Sequence, residues 1–463
     1  MPRKTVPLNP DDGDTSHPEA MAVPSGRGSR LVRLGWMATG IAGGMLAEGA
    51  RQLAQGNRPK VKDLLLTPAN ARRMADQLAK LRGAAMKVGQ LLSMESGDLL
   101  PPVLSDILAR LRSDARAMPK AQIKAVLEAS WGKGWEAQFS HFSFAPLAAA
   151  SIGQVHRAQT RDGRDLAIKI QYPGVRESID SDVDSVAGLL RLSGLLPKNM
   201  DIKPLLRDAK QQLHDESDYL KEGGFLKRYR DLLADAPAFA LPKLHADLTT
   251  QGVLAMDYMA GVPIESLVDA PQAVRNRVMD LLFDLLLREV FEFRLVQTDP
   301  NFANYRYDPA TGQLILLDFG ATRVYKAAMA NHFKQLVKGA MLQDRAAMRA
   351  ACLAIGYFEE STQDRHVQAV LDIGAQALEP FSRKDGYDFG TSDLPERIRS
   401  GVIALGMDRE FWTVPPTEAM LLERKFGGLY LLAIRLKAQV NPYALAQAAL
   451  FPRKPRLQGA NRI

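Results

Sequence analysis

Residues 297–304 read Q-T-D-P-N-F-A-N, and after a turn residues 314–320 read L-I-L-L-D-F-G. Asp299 and Asn304 stand five residues apart, and Asp318 follows fourteen later at the end of an apolar, strand-like run. A phosphoryl-transfer site needs these groups in this order. A carboxylate sits near the attacking group, an amide oxygen holds one metal, and the D-F-G carboxylate holds the metal that bridges the phosphates. Oxygen donors of this kind suit Mg²⁺, which keeps several waters and takes one or two protein carboxylates. D-F-G alone recurs by chance, and the plainer alternative is a hairpin with solvated turn residues. The combination of D-x4-N, a strand and D-F-G carries the weight, and the segments upstream decide it.

Those segments fall in the order of a kinase nucleotide-binding lobe. Residues 148–156 read A-A-A-S-I-G-Q-V-H, a turn follows at Asp162 and Gly163, and residues 166–170 read L-A-I-K-I. Strand, small-residue loop, strand, hairpin and A-I-K place Lys169 to reach the α- and β-phosphates of ATP. Ala148, Ala149, Ala150 and Ser151 form the loop; alanines in place of glycines make its backbone stiffer and its approach to phosphate less free. Residues 215–222, D-E-S-D-Y-L-K-E, continue a helical pattern from about residue 204. Glu222 stands where an αC glutamate would pair with Lys169, Glu216 and Asp218 point elsewhere, and Asp215 reads as a solvated charge. Residues 254–258, L-A-M-D-Y, form a strand leading to an adenine-contacting hinge, with Met256 and Tyr258 in the nucleotide site. After D-F-G the pattern is helical to about residue 445, with no further chemistry legible in it. The predicted fold is α+β, a protein-kinase-like bilobal fold with an N-terminal helical extension and a helix-rich C-terminal lobe. Its boundaries are 1–30, disordered; 31–125, extension; 126–258, N-lobe; and 259–463, C-lobe.

With 463 residues, 46% hydrophobic and 24% charged, the composition is that of a globular protein with room for two or three structural units. The single cysteine, Cys352, excludes an internal disulfide framework and a cysteine-built metal site, and reads as a small buried apolar residue. The seven histidines lack metal-ligand spacing. The net charge of +8 is concentrated: residues 51–90 hold nine Lys or Arg against two Asp, and residues 451–463 hold four basic residues and no acid. Positive charge beside helical, apolar sequence suits an anionic membrane surface. A solvated helix face is the plainer alternative, and nothing resembles a nucleic-acid module.

Residues 1–30 show no periodicity. They lack the apolar core of a secretory signal, and Asp11, Asp12, Asp14 and Glu19 oppose a mitochondrial transit peptide, which points to a bacterial cytoplasmic protein. Residues 34–47 are fourteen uncharged residues, too short to span a bilayer, which needs about twenty. Shallow insertion and burial against protein both suit them. Residues 67–94 read as a long helix, with Thr67 as cap, Pro68 in the first turn and K-V-G-Q at 87–90. A second helical stretch runs from about 103 to 112.

Taken together, K-V-G-Q at 87–90, A-A-A-S-I-G-Q-V-H at 148–156, A-I-K-I-Q-Y-P-G-V at 167–175 and E-S-D-Y-L-K-E at 216–222 resemble the UbiB (ADCK) family of atypical kinase-like proteins. Q-T-D-P-N-F-A-N at 297–304 and L-L-D-F-G-A-T-R at 316–323 complete the resemblance. It implies a helical extension folded across the active site, with Lys87 paired to Glu216, and Gln90 and Asp218 completing the block where a protein substrate would bind. It implies Mg²⁺ and ATP as cofactors, an ATPase rather than a protein kinase, an alanine-rich loop that tunes nucleotide preference, and support of ubiquinone biosynthesis at a membrane. Asp299 would be the catalytic carboxylate, and Asn304 and Asp318 the metal ligands. Partners by the same resemblance are ATP or ADP, an anionic membrane surface, and ubiquinone-biosynthesis enzymes or isoprenoid intermediates, with a homodimer as the oligomer to consider. The location implied is the bacterial cytoplasm at the inner membrane, or the matrix side of a mitochondrial one. Gly223 and Gly224 depart from the alanines expected after Glu222, so the helix is expected to end or flex there. Two other functions fit the same residues: a phosphotransferase for a small molecule or protein, and a non-catalytic nucleotide-sensing scaffold that binds isoprenoid lipids.

Overall fold

The computed structural model describes residues 84, 87–88, 118–150, 152–192, 203–408, 411, 413 and 415–451. The expectations for residues 1–30, 34–47 and 103–112, for most of the helix over 67–94 including Gln90, for Ser151 and for the basic tail lie outside these. The chain divides into two compact units. One holds the described residues up to Ser217 together with His245–Met256, and the other holds Asp218–Leu244 and the chain from Asp257 onward.

The first unit is built on an antiparallel sheet in the order β1 (Phe139–Ala149), β2 (Gly153–Thr160), β3 (Asp165–Gln171), β5 (Val253–Asp257). Gly163 turns the β2–β3 hairpin at φ +90, a conformation costly for residues with a Cβ. One sheet face packs Ala158, Leu166, Ile168, Ile170, Val253 and Ala255 against Ile123 and Leu127 of the helix Lys120–Trp131, which the sequence reading did not anticipate. Trp131, Trp135, Phe139 and Phe142 close that core, with ring centroids 5.2–5.9 Å apart. Trp131 also donates its indole N–H to the Leu248 carbonyl at 2.9 Å.

The small-residue loop is shorter than expected, because Ala148 and Ala149 belong to β1. Alanine has no bar to extended backbone, and the two residues pair with Val155 and Gln154 across the ladder. Val155 in turn pairs with Lys169, so Ala148, Val155 and Lys169 form one row across three strands. Side chains in such a row share a sheet face, and Lys169 therefore points away from the face carrying Ile168 and Ile170.

His156 on β2 is fully buried, with Nδ1 3.1 Å from the Ser143 carbonyl. Burial pushes its pKa down to about 4, and the bond to Ser143 opposes this only in part. Below pH 6.5 the unfolded chain takes up a proton that the folded imidazole refuses. The stabilisation is therefore complete above that value and is lost as pH falls through about 4. Thermal melts from pH 6.5 down to 4 are expected to lose ~3 kcal/mol through this group, and His156→Gln should flatten the dependence.

The second unit opens with the helix Tyr219–Leu232, capped by Asp218, whose carboxylate accepts from the Lys221 N–H at 3.0 Å. The break from the preceding helix, Lys203–Glu216, thus falls at Ser217 and Asp218, and the helix runs unbroken through Gly223 and Gly224. A good N-cap stabilises by about 1 kcal/mol, comparable to one glycine penalty, and Asp218 settles where the helix starts. A four-stranded sheet follows in the order β4 (Phe239–Ala240), β9 (Gln313–Leu316), β8 (Tyr305–Asp308), β6 (Val262–Pro263). A second ladder pairs β7 (Leu295–Gln297) with β10 (Thr322–Val324). The rest is mostly helical, including Gln272–Arg288, Ala327–Met341, Arg345–Ile355 and Thr417–Arg435, with one further short ladder that pairs Tyr387–Asp388 with Gln439–Val440. Cys352 is buried in this part, and burial pushes its thiol up to about 12, so it is unreactive. Among the described residues no helix is long and apolar enough to cross a membrane.

Candidate active site

Two ladders fix the segment around Asp299. Gln297, at the end of β7, pairs with Thr322, and Thr298 continues the contact by donating both its N–H and its hydroxyl to the Ala321 carbonyl, at 3.2 and 2.7 Å. Asp299 and the D-F-G turn therefore leave one ladder side by side. At the other end the N–H of Leu317 donates to the Asn304 carbonyl at 3.0 Å, where β8 and β9 begin to pair. Both loops are held at both ends, the condition for keeping side chains in a fixed geometry.

Within that frame Asn304 donates its amide N–H to Asp299 Oδ2 at 3.3 Å, which leaves its amide oxygen as the atom that would meet a cation. Asp318 Oδ1 accepts from the Gly320 N–H at 2.9 Å. A Cβ placed on Gly320 would lie 3.3 Å from Glu222 Oε2 and 3.4 Å from Asp318 Oδ1, so two carboxylates converge on this glycine. Glu222 is 2% exposed. The Asp318 carboxylate and the Asn304 amide oxygen are hard oxygen donors of the kind that would suit Mg²⁺.

In the first unit Lys169 is buried on β3, Met256 is buried near the end of β5, and Ala148 and Ala149 are exposed on β1. Ala150 donates its N–H to the Gly153 carbonyl at 2.8 Å and closes the short turn. Gly153 itself lies against the Ile170 carbonyl, where a Cβ would not fit. Ala84, Lys87 and Val88 are helical and buried, at the i, i+3, i+4 spacing of one helix face. Lys87 forms an ion pair with Glu216, the last residue of its helix. Gln171 Nε2 donates to the Ser217 carbonyl at 2.7 Å, which ties that helix end to β3. The chain passes from the first unit to the second between Ser217 and Asp218, and again between Met256 and Asp257, just before the half-buried Tyr258.

Sequence reasoning missed a group of buried charges under Asp299. Lys425, 2% exposed, donates to the Tyr305 hydroxyl at 2.8 Å and to Gln297 Oε1 at 3.3 Å, and pairs with Glu289 Oε2 at 3.5 Å. Glu289 sits at the π-helical turn that ends Gln272–Arg288, and its Oε1 accepts from the Tyr229 hydroxyl at 2.7 Å. The Tyr229 ring packs on Phe319 of D-F-G at 4.8 Å. Burial pushes the Glu289 carboxyl up, with Lys425 and Tyr229 pulling the other way. The helical region after D-F-G, read as carrying no chemistry, thus supplies a buried cation to the strand before Asp299 and the residue after Asn304. The available signal was a charged triplet, E-R-K at 423–425, inside the apolar run A-M-L-L and F-G-G-L-Y.

A family model, the ABC1 atypical kinase-like domain, matches residues 110–352. The chain belongs to the ABC1 (UbiB, ADCK) family of atypical kinase-like proteins. Among curated ABC1-family relatives, the zebrafish (Danio rerio) mitochondrial atypical kinase COQ8B is 38% identical over 427 residues, covering 90% of this chain and 68% of that protein. The mitochondrial atypical kinase COQ8 of Saccharomyces cerevisiae is 38% identical over 430 residues, covering 91% and 84%. A solved structure, the Rv3197–erythromycin complex from Mycobacterium tuberculosis, aligns with a TM-score of 0.57 and 23% identity over 83% of this chain and 96% of that one. At that identity the likeness concerns fold alone. The ABC1 chain is α+β and kinase-like, as its strand order and motifs led one to expect.

Proposed function

We propose that the protein is a Mg-ATP-binding, kinase-like ATPase that supports ubiquinone biosynthesis at a membrane surface. The observation that carries the enzymatic part is the double anchoring of Asp299, Asn304 and Asp318 by the β7–β10 and β8–β9 ladders. In this reading Asp318 and Asn304 hold Mg²⁺, Lys169 holds phosphate, and Ala148, Ala149, Ala150 and Ser151 cover it. Met256 and Tyr258 meet the adenine, and Glu222 serves as the partner of Lys169. Bound Mg²⁺ neutralises charge on the transferring phosphoryl group. Asp299 orients water and takes its proton. Lys87, held by Glu216, together with Gln90 and Asp218 restricts the acceptor to small molecules. The ubiquinone role rests on the family, and the membrane role on the basic region over 51–90 and on residues 34–47. The compartment in this reading is the cytoplasmic face of a bacterial inner membrane, or the matrix face of a mitochondrial one.

The test is ATP hydrolysis by the purified chain with anionic liposomes, next to Asp299→Asn. The variant is expected to keep nucleotide affinity and lose ~10²-fold or more in kcat, the range for general-base assistance. Equal turnover by the variant would remove Asp299 from catalysis. Label from ATP recovered on a quinone precursor or a protein, rather than as free phosphate, would favour a phosphotransferase.

A further inference from the structure

The segment T-D-P-N-F-A-N at 298–304 carries no cation of its own. One is delivered from the C-terminal helix Thr417–Arg435: Arg424 Nη2 donates to Asp299 Oδ1 at 3.4 Å. The Arg424 side chain is 10% exposed and that of Asp299 23%. Asn304 holds the other carboxylate oxygen, Oδ2. The carboxylate is therefore gripped by two donors from different parts of the chain, and its plane is set by both.

The same helix is keyed to the segment at two more places. Lys425 reaches Gln297 on one side of Asp299 and Tyr305 on the other. Gly428, one turn further along, lies against Pro300, the residue after Asp299, so closely that a Cβ would overlap the proline ring. Residues 424, 425 and 428 lie at helical spacing on the side facing this segment. A helix that merely filled the lobe would not need a glycine under Pro300, a buried lysine and a largely covered arginine beside it.

We propose that Arg424 is the positioning residue of Asp299, holding Oδ1 so that the carboxylate faces the attacking group. The inference rests on the ATPase reading, in which Asp299 orients the nucleophile. Arg424 acts through that carboxylate and is assigned no contact with nucleotide. A planar guanidinium fixes a carboxylate in a way that a lysine ammonium does not, because its donors form a rigid fork.

The experiment is steady-state ATP hydrolysis by the full chain, with nucleotide affinity and thermal midpoint measured alongside. It compares the unaltered protein with R424Q, R424K, D299N and the double variant D299N/R424Q. R424Q is expected to lose ~10–100-fold in kcat, the range for misplacing a reacting group by about 1 Å, with KM for ATP changed less than about threefold. R424K should recover part of the loss. In the D299N background R424Q should cost nothing more, because the group it positions is already gone. A kcat for R424Q within about twofold of the unaltered protein, or a full additional loss in the double variant, overturns the inference. Should R424Q fail to fold, R424K carries the same comparison alone and in the D299N background. No hydrolysis by the unaltered protein overturns both this inference and the ATPase reading. Hydrolysis that R424Q leaves intact overturns this inference alone.

Discussion

Replacing Lys425 by alanine is expected to destabilise the protein by about 3–5 kcal/mol, the cost of breaking a buried ion pair by removing one partner. The side chain is 2% exposed and Glu289 is 1% exposed, so neither charge has water to fall back on. Without Lys425 the Glu289 carboxylate keeps the Tyr229 hydroxyl and the Gln297 N–H as donors but loses its counter-charge. Denaturant unfolding of K425A at neutral pH measures the loss, and a change below about 1 kcal/mol would mean that the pair is a bystander. The double replacement K425M/E289L should recover most of the loss, because well-packed apolar groups of similar volume are often as stable as a buried pair. The defect also has a pH signature. Burial holds the folded Glu289 carboxyl above its ordinary value, so its protonated form suits the fold. In K425A that stabilisation is fully present below the unfolded carboxylate value near 4.5 and is lost as pH rises through the raised folded one. The gap between K425A and the unaltered protein should therefore narrow toward pH 4.

That network also marks the limit of what the residues announce. The strand order was legible, and Asp299, Asn304, Asp318 and Lys169 stood out as candidates, because each lies in a short local pattern, and local patterns survive in sequence. Lys425 and Arg424 were not, because their partners stand more than a hundred residues away and a basic residue on a helix is ordinarily solvated. Burial of charge is decided by tertiary packing, which periodicity does not record. The helix start at Asp218 shows a different failure. Glycine propensity favoured a break at Gly223 and Gly224, yet the side chain of Asp218 closes onto the Lys221 N–H and decides the start. At Ala148 and Ala149 residue type suggested loop, whereas pairing with Val155 and Gln154 made strand. In each case a specific partner overrode a local preference.

Asp318→Asn is expected to reduce Mg-dependent ATP hydrolysis on the order of 10³-fold, which corresponds to about 4 kcal/mol of lost charge stabilisation. The replacement is nearly isosteric, and its amide oxygen can still accept from the Gly320 N–H as Oδ1 does now at 2.9 Å. The turn therefore survives, and Phe319 keeps its seat against Tyr229. What is removed is the charge that, with Asn304, would hold Mg²⁺, whose positive charge would offset that of the phosphates. The Asn304 amide oxygen remains as a neutral donor, so residual metal binding should be weaker and shift the Mg²⁺ requirement upward. Hydrolysis titrated against Mg²⁺, with melting curves to show an intact fold, separates the outcomes. A folded D318N protein whose turnover at saturating Mg²⁺ is within about tenfold of the unaltered chain would break the assignment of Asp318 to the metal. A protein that loses turnover while retaining nucleotide affinity in EDTA would locate the defect in the metal step, because affinity without metal does not draw on Asp318.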